Sequence, residues 1–136
     1  MERQGGVTYL ISEDGRQVTS FTTFSPTPCD IDGVGHRLIH DQDRLWLEGP
    51  TGIAASAYRT GRGQVHVSSA THELSLRRTS RFARAWELHH DGQITGTCRM
   101  GVFGARGDLP SDLPMPLRVF LFYAVIRTDA GFILWF

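Results

Sequence analysis

Several features that identify common protein classes are missing from this chain of 136 residues. It has no lysine, no known catalytic motif, and no metal-ligand spacing around its two cysteines, Cys29 and Cys98. The 14 arginines are balanced by 14 acidic residues, so the net charge is zero, whereas histone-like nucleic-acid binders carry a basic excess. We therefore expect no nucleic-acid partner, no metal and no other cofactor. Any anion site has to be local.

A transmembrane span and a secretion signal are also missing. Arg118, Arg127 and Asp129 interrupt the apolar C-terminal segment, which is much shorter than the roughly 20 apolar residues that cross a bilayer. The chain starts without a charged region followed by an apolar one. We expect a cytoplasmic protein with reduced cysteines, either free or peripheral at the membrane, and no transmembrane span.

Residues 7–100 show the pattern of short antiparallel strands, because short apolar runs alternate with Gly, Asp, Pro and Ser. Segments 9–18, 45–53 and 86–94 each read as a hairpin, and Asp-Gly in the first and third favours a type I′ turn. The proline-containing residues 25–30 are interpreted as a connection. Alternation predicts that the following side chains face the core: Val65, Val67, Leu74, Leu76, Ile94, Gly96, Cys98 and Met100.

The character of the chain changes after residue 100. Residues 104–116 carry three prolines and two aspartates and predict a loop. A proline is favoured in the first turn of a helix, so a helix is expected over about 116–127, and its nearly all-apolar sequence requires burial on every side. Residues 132–136 form either a final strand or an extension of that helix, with Gly131 favouring a break. The whole chain, 1–136, is expected to be one domain.

Residues 109–126 read LPSDLPMPLRVFLFYAVI and are followed by FILWF at 132–136. This ending resembles the tubby-like superfamily, which includes the tubby C-terminal domain, the phospholipid scramblases and the LURP-one-related proteins. The hairpin with Trp86, Asp91, Gly92 and Ile94 is similar to strand pairs of that group. The ending also resembles small actinobacterial proteins that finish with a Leu-Pro-x-Asp-Leu-Pro-x-Pro lead-in and an apolar tail.

The resemblance implies a mainly β fold: an antiparallel β-barrel of about 9–12 strands with the apolar C-terminal helix threading it or packing inside it. The helix would fill the space that the strands enclose. The sequence itself shows nine or ten strands, so the barrel is either abbreviated or completed by a partner chain, which makes a homodimer an alternative. The family's lipid binding carries over to no matched residue, and Asp30, Asp32, Asp41 and Asp43 supply only fragments of a calcium loop.

The densest charge cluster contains Arg77, Arg78, Arg81 and Arg84, around a predicted hairpin turn. Convergent guanidinium groups bind phosphate bidentately, and we expect the ligand site here. The alternative is that these arginines are solvated and only keep the hairpin in solution.

Other chemistries have weaker support in the sequence. His36 and His40 are four residues apart, but in a strand that spacing separates them by about 13 Å, too far for one zinc ion. Neither cysteine has a positioned base, and no nucleophile elbow is present. Catalytic residues are therefore not assigned.

The leading hypothesis is a non-enzymatic domain that binds an anionic ligand or a phospholipid headgroup through the Arg77 to Arg84 hairpin. The second is a small β-barrel enzyme, an isomerase or a cyclase, acting on a small molecule in an apolar pocket. The third is a protein-interaction or homodimer module that uses an uncovered sheet edge.

Overall fold

The structure, a computed structural model, describes residues 8–13, 16–22, 25–80, 85–100 and 105–133. It consists of eleven strands followed by one helix. The elements are β1 (Thr8–Glu13), β2 (Arg16–Thr22), β3 (Thr27–Ile31), β4 (Val34–Asp41), β5 (Arg44–Gly49), β6 (Gly52–Gly61), β7 (Gln64–Ser69), β8 (Glu73–Ser80), β9 (Ala85–His90), β10 (Gln93–Met100), β11 (Ala105–Asp108) and α1 (Met115–Ile133).

Nine of the strands form one antiparallel sheet in which each strand pairs with its neighbours in sequence, from β3 through to β11. Strands β1 and β2 pair as a separate hairpin, and β2 packs beside β3. The mainly β prediction is confirmed. Among the described residues the pairing does not close the large sheet into a ring, because β3 and β11 are its two edge strands.

The tight turns follow the Gly positions seen in the sequence. Asp91 and Gly92 join β9 to β10 with φ of 52° and 78°, and Asp32 and Gly33 join β3 to β4 with φ of 52° and 77°. Positive φ at both central positions is the type I′ geometry that matches the twist of a hairpin. The hairpin predicted at 86–94 is therefore confirmed, and so is that at 45–53. Strands β1 and β2 form the first predicted hairpin, whose Asp-Gly turn lies outside the described residues.

One face of the sheet is the core. Buried and partly exposed residues alternate along β5, β7 and β9, as the period of two in a strand requires. Val65, Val67, Leu74 and Leu76 are all buried, as predicted. Cys98 is buried too, so most of the predicted core-facing positions that the structure describes are correct.

The helix α1 lies against this core face. From residue 117 to 126 every side chain is buried except Arg118 and Phe122, which are partly exposed. α1 contacts β10 and β11 directly, Tyr123 of α1 contacts Phe21 of β2, and Arg127 of α1 contacts His40 of β4.

These contacts require a strongly curved sheet. β4 and β10 are six strand steps apart in the sheet order, which is about 29 Å in a flat sheet. Phe122, which lies against Gly107 of β11, and Arg127, which contacts β4, are only about 7.5 Å apart along the axis of α1. Because α1 touches both strands, the sheet bends around the helix and brings strands from distant parts of the chain close to it.

Four sequence predictions need correction. The described residues form eleven strands, more than the nine or ten counted from the sequence, because residues 27–31 form β3 and residues 105–108 form β11. Pro28 is tolerated in β3 since an edge strand leaves one row of backbone groups unpaired in the sheet. The helix is longer than the predicted 116–127 and passes through Gly131 to Ile133 without a break. Ile94 was predicted to face the core but is 56% exposed, because a register shift between Ile94 and Gly96 reverses the alternation.

In the described part of the chain no helix combines the length and the apolar character needed to cross a membrane.

Candidate functional site

One cavity of about 210 Å³ opens at an end of the sheet. Antiparallel order brings the ends of β4, β6 and β8 and the starts of β5, β7 and β9 to this same end. We call it the cavity end. The described residues that line the cavity come from these strands, from two turns and from α1: His40, Gln42, Asp43, Leu45, Tyr58, Arg59, Gly63, Val65, Arg78, Trp86, Arg127 and Thr128.

Three arginines line this cavity, and each belongs to a different element. Arg59 lies near the end of β6, Arg78 near the end of β8, and Arg127 on the C-terminal half of α1. The curvature of the sheet around α1 is what brings them together, since Arg59 and Arg127 are far apart in sequence. Asp43, in the turn between β4 and β5, is the one carboxylate among the described lining residues.

Backbone hydrogen bonds hold the rim of the cavity. The amide of Arg59 donates to the carbonyl of Asp43 at 3.3 Å, which ties the β4–β5 turn to the end of β6. The amide of Arg78 donates to the carbonyl of Gly63 at 2.8 Å, which ties β8 to the β6–β7 turn. The backbones of Arg59 and Arg78 therefore belong to strands and are also tied to the neighbouring turns, which makes the arrangement of their side chains more definite.

Arg127 and His40 interact directly across the cavity wall. The guanidinium Nη2 of Arg127 lies 3.3 Å from Nδ1 of His40. An arginine has no acceptor, so it donates and the imidazole Nδ1 accepts, which requires the neutral form of His40. The backbone of His40 is held in turn by Ser25, whose hydroxyl donates to the His40 carbonyl at 3.0 Å and accepts from its amide at 2.8 Å.

The floor of the cavity is apolar. Leu45, Val65 and Trp86 are at most 8% exposed. Tyr58 stands at the rim, 43% exposed, with the guanidinium of Arg44 6.0 Å from its ring centre. The arginines therefore surround a partly dry surface, where electrostatic attraction is stronger than in open water.

The structure separates two of the four predicted ligand-binding arginines. Arg77 and Arg78 are consecutive in β8, so their side chains point to opposite faces of the sheet. Arg78 lines the cavity with its Nε buried, whereas Arg77 is exposed. Arg81 and Arg84 lie outside the described residues, so the structure does not describe their contribution.

Tyr123 lies one helical turn before Arg127 on the same side of α1. It is fully buried, and its hydroxyl has no hydrogen-bond partner among the described residues. Burial raises the pKa of Tyr123 to about 12, with a smaller opposing effect of the Arg127 charge. The buried phenol of Tyr123 therefore stays neutral across the physiological pH range.

A polar cluster on the outer face of the sheet is a weaker candidate. Glu73 receives hydrogen bonds from Ser68 and from His66 Nε2, the latter at 2.7 Å, and these bonds lower the pKa of its carboxyl group. The serine donates to the glutamate and not to the histidine, and a carboxylate with a lowered pKa is too weak a base to activate a serine nucleophile. We assign this cluster to sheet stabilisation.

The cysteines are structural. Cys29 and Cys98 are both buried and unbridged, and burial raises the pKa of the Cys98 thiol to about 12. The Cys29 thiol also has a raised pKa through burial, although its hydrogen bond with Thr19 opposes the shift. A thiol that stays protonated is a poor nucleophile and a poor metal ligand. Within the described residues no group of three or more His, Cys, Asp and Glu side chains is placed to hold a metal ion.

Comparison with protein-family models, curated proteins and solved structures finds no match for this chain.

Sequence reasoning missed most of the cavity. Only Arg78 of its charged residues was proposed as a ligand residue, and Arg59, Arg127 and Asp43 were not. Arg127 directly follows the apolar segment that forms the buried helix. This position is the one feature of the sequence that could have indicated a functional role for Arg127. No local pattern predicts that it meets His40, which is 87 residues away.

Proposed function

We propose that this protein is a non-enzymatic, tubby-like binding domain whose cavity takes an anionic ligand, either a free anion or a phospholipid headgroup. The observation that carries the proposal is the position of Arg59, Arg78 and Arg127 around one cavity with an apolar floor. Guanidinium groups bind phosphate and carboxylate oxygens in pairs and stay charged at any physiological pH.

The fold supports the family part of this proposal without deciding it. A strongly curved antiparallel sheet packed on one buried helix is consistent with the architecture that the resemblance implies. We further propose that the sheet closes into a barrel threaded by α1. In this form the space inside the sheet is occupied by side chains such as Phe120 and Ile126, both at most 1% exposed. A ligand then has room at the cavity end, and an enzyme pocket deeper in the sheet is disfavoured.

Vesicle co-sedimentation tests the proposed function. The protein is mixed with neutral and with anionic vesicles, at low and at physiological salt, beside Arg78→Gln and Arg77→Gln variants. The two variants lose the same charge from adjacent positions, so they separate the cavity from the general surface charge. Salt-sensitive binding to anionic vesicles that is lost in Arg78→Gln and kept in Arg77→Gln supports a headgroup site in the cavity.

Three other outcomes are informative. Equal losses in both variants mean that diffuse surface charge causes the binding, and the cavity assignment is then wrong. Absence of vesicle binding rejects a phospholipid headgroup as the ligand. Isothermal titration with soluble phosphate and carboxylate compounds then decides whether the cavity binds any anion. Absence of both kinds of binding rejects the proposed function.

A second role rests on the exposed edge of the sheet. β11 is an edge strand in the described pairing, and an edge of this kind is a template for pairing with another chain. We propose a homodimer as the alternative. Light scattering at two protein concentrations tests it, and a monomer at both concentrations rejects it.

A further inference from the structure

The charges of this protein are separated along the direction of the strands, although its net charge is zero. Antiparallel order places the turns after β3, β5, β7 and β9 at the end of the sheet opposite the cavity, which we call the far end. The start of β2 and the start of α1 lie at this end too, because β2 ends beside the start of β3 and the C-terminal half of α1 reaches the cavity. Strands of six to ten residues separate the two ends by about 20–30 Å, which is about two or more Debye lengths at physiological salt. Each end therefore attracts or repels a partner through its own charges.

The far end is acidic. Among the described side chains, its exposed charged groups are five carboxylates and one arginine: Asp30, Asp32, Glu73, Asp91, Asp112 and Arg16. Glu48 also lies there, but the Arg37 Nε is 2.8 Å from its Oε1 and balances its charge. Glu73 contacts His66, and Asp91 lies 3.6 Å from Nε2 of His90. Within the described residues, no ion pair involves Asp30, Asp32 or Asp112, so their charges face the solvent.

The cavity end has the opposite sign. Its exposed charged side chains in the described part of the chain are four arginines and two aspartates: Arg44, Arg59, Arg62, Arg99, Asp41 and Asp43. This count leaves out Arg78 and Arg127, which are partly buried and have interaction partners. The sequence carries two further arginines, Arg81 and Arg84, between β8 and β9, and one aspartate, Asp129, in α1. The dipole of α1 adds only about half a charge of the opposite sign at each end, so it does not reverse this polarity.

Exposed apolar side chains accompany the charges at both ends. Of the four large hydrophobic residues that are exposed among the described residues, Val34, Ile53 and Ile94 stand at the far end, at the starts of β4, β6 and β10. The fourth, Tyr58, stands at the rim of the cavity, above its apolar floor. Protein interfaces combine apolar contact with complementary charge. The surface on the page that complements the cavity end is therefore the far end of a second copy, and a net charge of zero removes the repulsion that keeps identical proteins apart.

We infer that the far end of one copy docks on the cavity end of the next, so that the protein associates head to tail. A contact of this kind uses two different surfaces of each copy, and the assembly grows past two copies until a ring closes or the chain of copies ends. The inference goes beyond the proposed function, because it depends on the exposed charges of the two ends and not on an anion in the cavity. It also differs from the dimer through the edge of β11, which buries that edge and stops at two copies.

Sedimentation velocity and light scattering at several protein concentrations test the association. At a salt concentration of about 20 mM we expect the average mass to rise with protein concentration past twice that of the monomer. At about 500 mM salt it should return to the mass of the monomer, because contacts between exposed charges are screened. A monomer at low salt and at protein concentrations up to about 1 mM overturns the inference. So does a dimer that never grows and that persists at high salt, which is the result expected of the edge strand.

Charge reversal at each end tests the polarity of the contact. The basic-end variant combines Arg44→Glu with Arg62→Glu, two exposed positions outside the cavity lining, and the acidic-end variant combines Asp30→Arg with Asp112→Arg. Each variant alone should stay a monomer at low salt. Each should also lower the average mass of the wild type when the two are mixed, because it can join a growing assembly at one end only.

Two controls separate the polarity from the net charge. A variant with all four substitutions again has a net charge of zero, and we expect it to stay a monomer because both of its ends are weakened. Arg77→Glu, at an exposed position in the middle of β8, should associate as the wild type does. Wild-type association of the fourfold variant would assign the effect to zero net charge, and absence of the mass decrease with either end variant would show that the contact is not head to tail. Either result overturns the inference, and circular dichroism confirms that each variant is folded.

Discussion

Gly63 lies directly against Arg78 at the rim of the cavity. The Gly63 carbonyl accepts a hydrogen bond from the Arg78 amide at 2.8 Å, and a Cβ atom added to Gly63 would stand 3.1 Å from the Arg78 Cβ. Gly63 also has φ of +68°, a conformation that side chains other than glycine rarely adopt. The position of the arginine at the cavity therefore depends on the absence of a side chain in the neighbouring turn.

Gly63→Ala is expected to cost about 1–2 kcal/mol of folding free energy through its positive φ, and to weaken anion binding by displacing Arg78. Gly33→Ala is the matched control. It has φ of +77° with no atom within 4 Å of the added Cβ, and it belongs to a turn at the other end of the sheet. We expect a similar loss of stability there with unchanged affinity. Urea unfolding measures the loss of stability, and isothermal titration measures the change in anion affinity. Equal changes of affinity in the two variants would mean that the contact with Gly63 does not position Arg78 for binding.

The strand pattern could be predicted from neighbouring residues in the sequence, whereas most of the cavity could not. Val65, Val67, Leu74 and Leu76 face the core as alternation predicts, because the period of a strand is a property of neighbouring residues. The type I′ turn at Asp91 and Gly92 is local in the same way. Ile94 departs from the pattern since a bulge depends on the pairing partner, which the sequence does not identify.

Contacts between elements that are distant in the chain could not be predicted from the sequence. Arg78 was proposed from its place in an arginine cluster, but its cavity neighbours Arg59 and Arg127 lie on other elements, brought together only by the curvature of the sheet around α1. The ligand-site prediction groups Arg77 with Arg78, which is its neighbour in the same strand. Alternation along β8 sends them to opposite faces.

The bulge at Gly96 yields a second prediction. A Cβ atom at Gly96 would lie 2.8 Å from the Asp108 carbonyl oxygen and 3.2 Å from Pro110, so the backbone of β11 would have to move. Gly96→Ala is expected to destabilise the protein by about 1–3 kcal/mol, as overpacking does. At Gly35 the nearest atom is 3.8 Å from the added Cβ, and Gly35→Ala should change stability by less than about 0.5 kcal/mol. Urea unfolding of both variants gives the comparison, and equal stabilities would contradict the close approach of β10 and β11.

The burial of α1 is tested by placing a charge on it. Val125 is 0% exposed, and an unpaired carboxylate there is severely destabilising. We expect Val125→Asp to fail to fold, as seen by loss of the circular dichroism spectrum of the wild type or by aggregation in size-exclusion chromatography. Ile53 is 57% exposed, and Ile53→Asp should fold normally. A stable, monomeric Val125→Asp protein would mean that this side of α1 is not buried.

Tyr123 should make the stability of the protein depend on pH in the alkaline range. Burial raises its pKa to about 12 in the folded state, whereas an unfolded tyrosine has a pKa of about 10. Between these two values the folded state holds a proton that the unfolded state has lost, so the free energy of unfolding decreases as the pH rises from about 10 towards 12. Cys98 adds a decrease of the same sign that starts nearer pH 9, since its pKa is also raised to about 12.

The Tyr123→Phe variant distinguishes the contribution of the Tyr123 phenol to the pH dependence from that of the Cys98 thiol. The variant keeps the contribution of Cys98 and loses that of the phenol, so its stability should fall less steeply between pH 10 and 12 than that of the wild type. At neutral pH the change should be neutral or stabilising, because the Tyr123 hydroxyl is buried without a hydrogen-bond partner among the described residues. Tyr58→Phe, at an exposed tyrosine, is the control and should keep the steeper wild-type slope. Urea unfolding at several pH values measures all three proteins, and parallel slopes for wild type and Tyr123→Phe would show that the phenol ionises as it does in the unfolded chain.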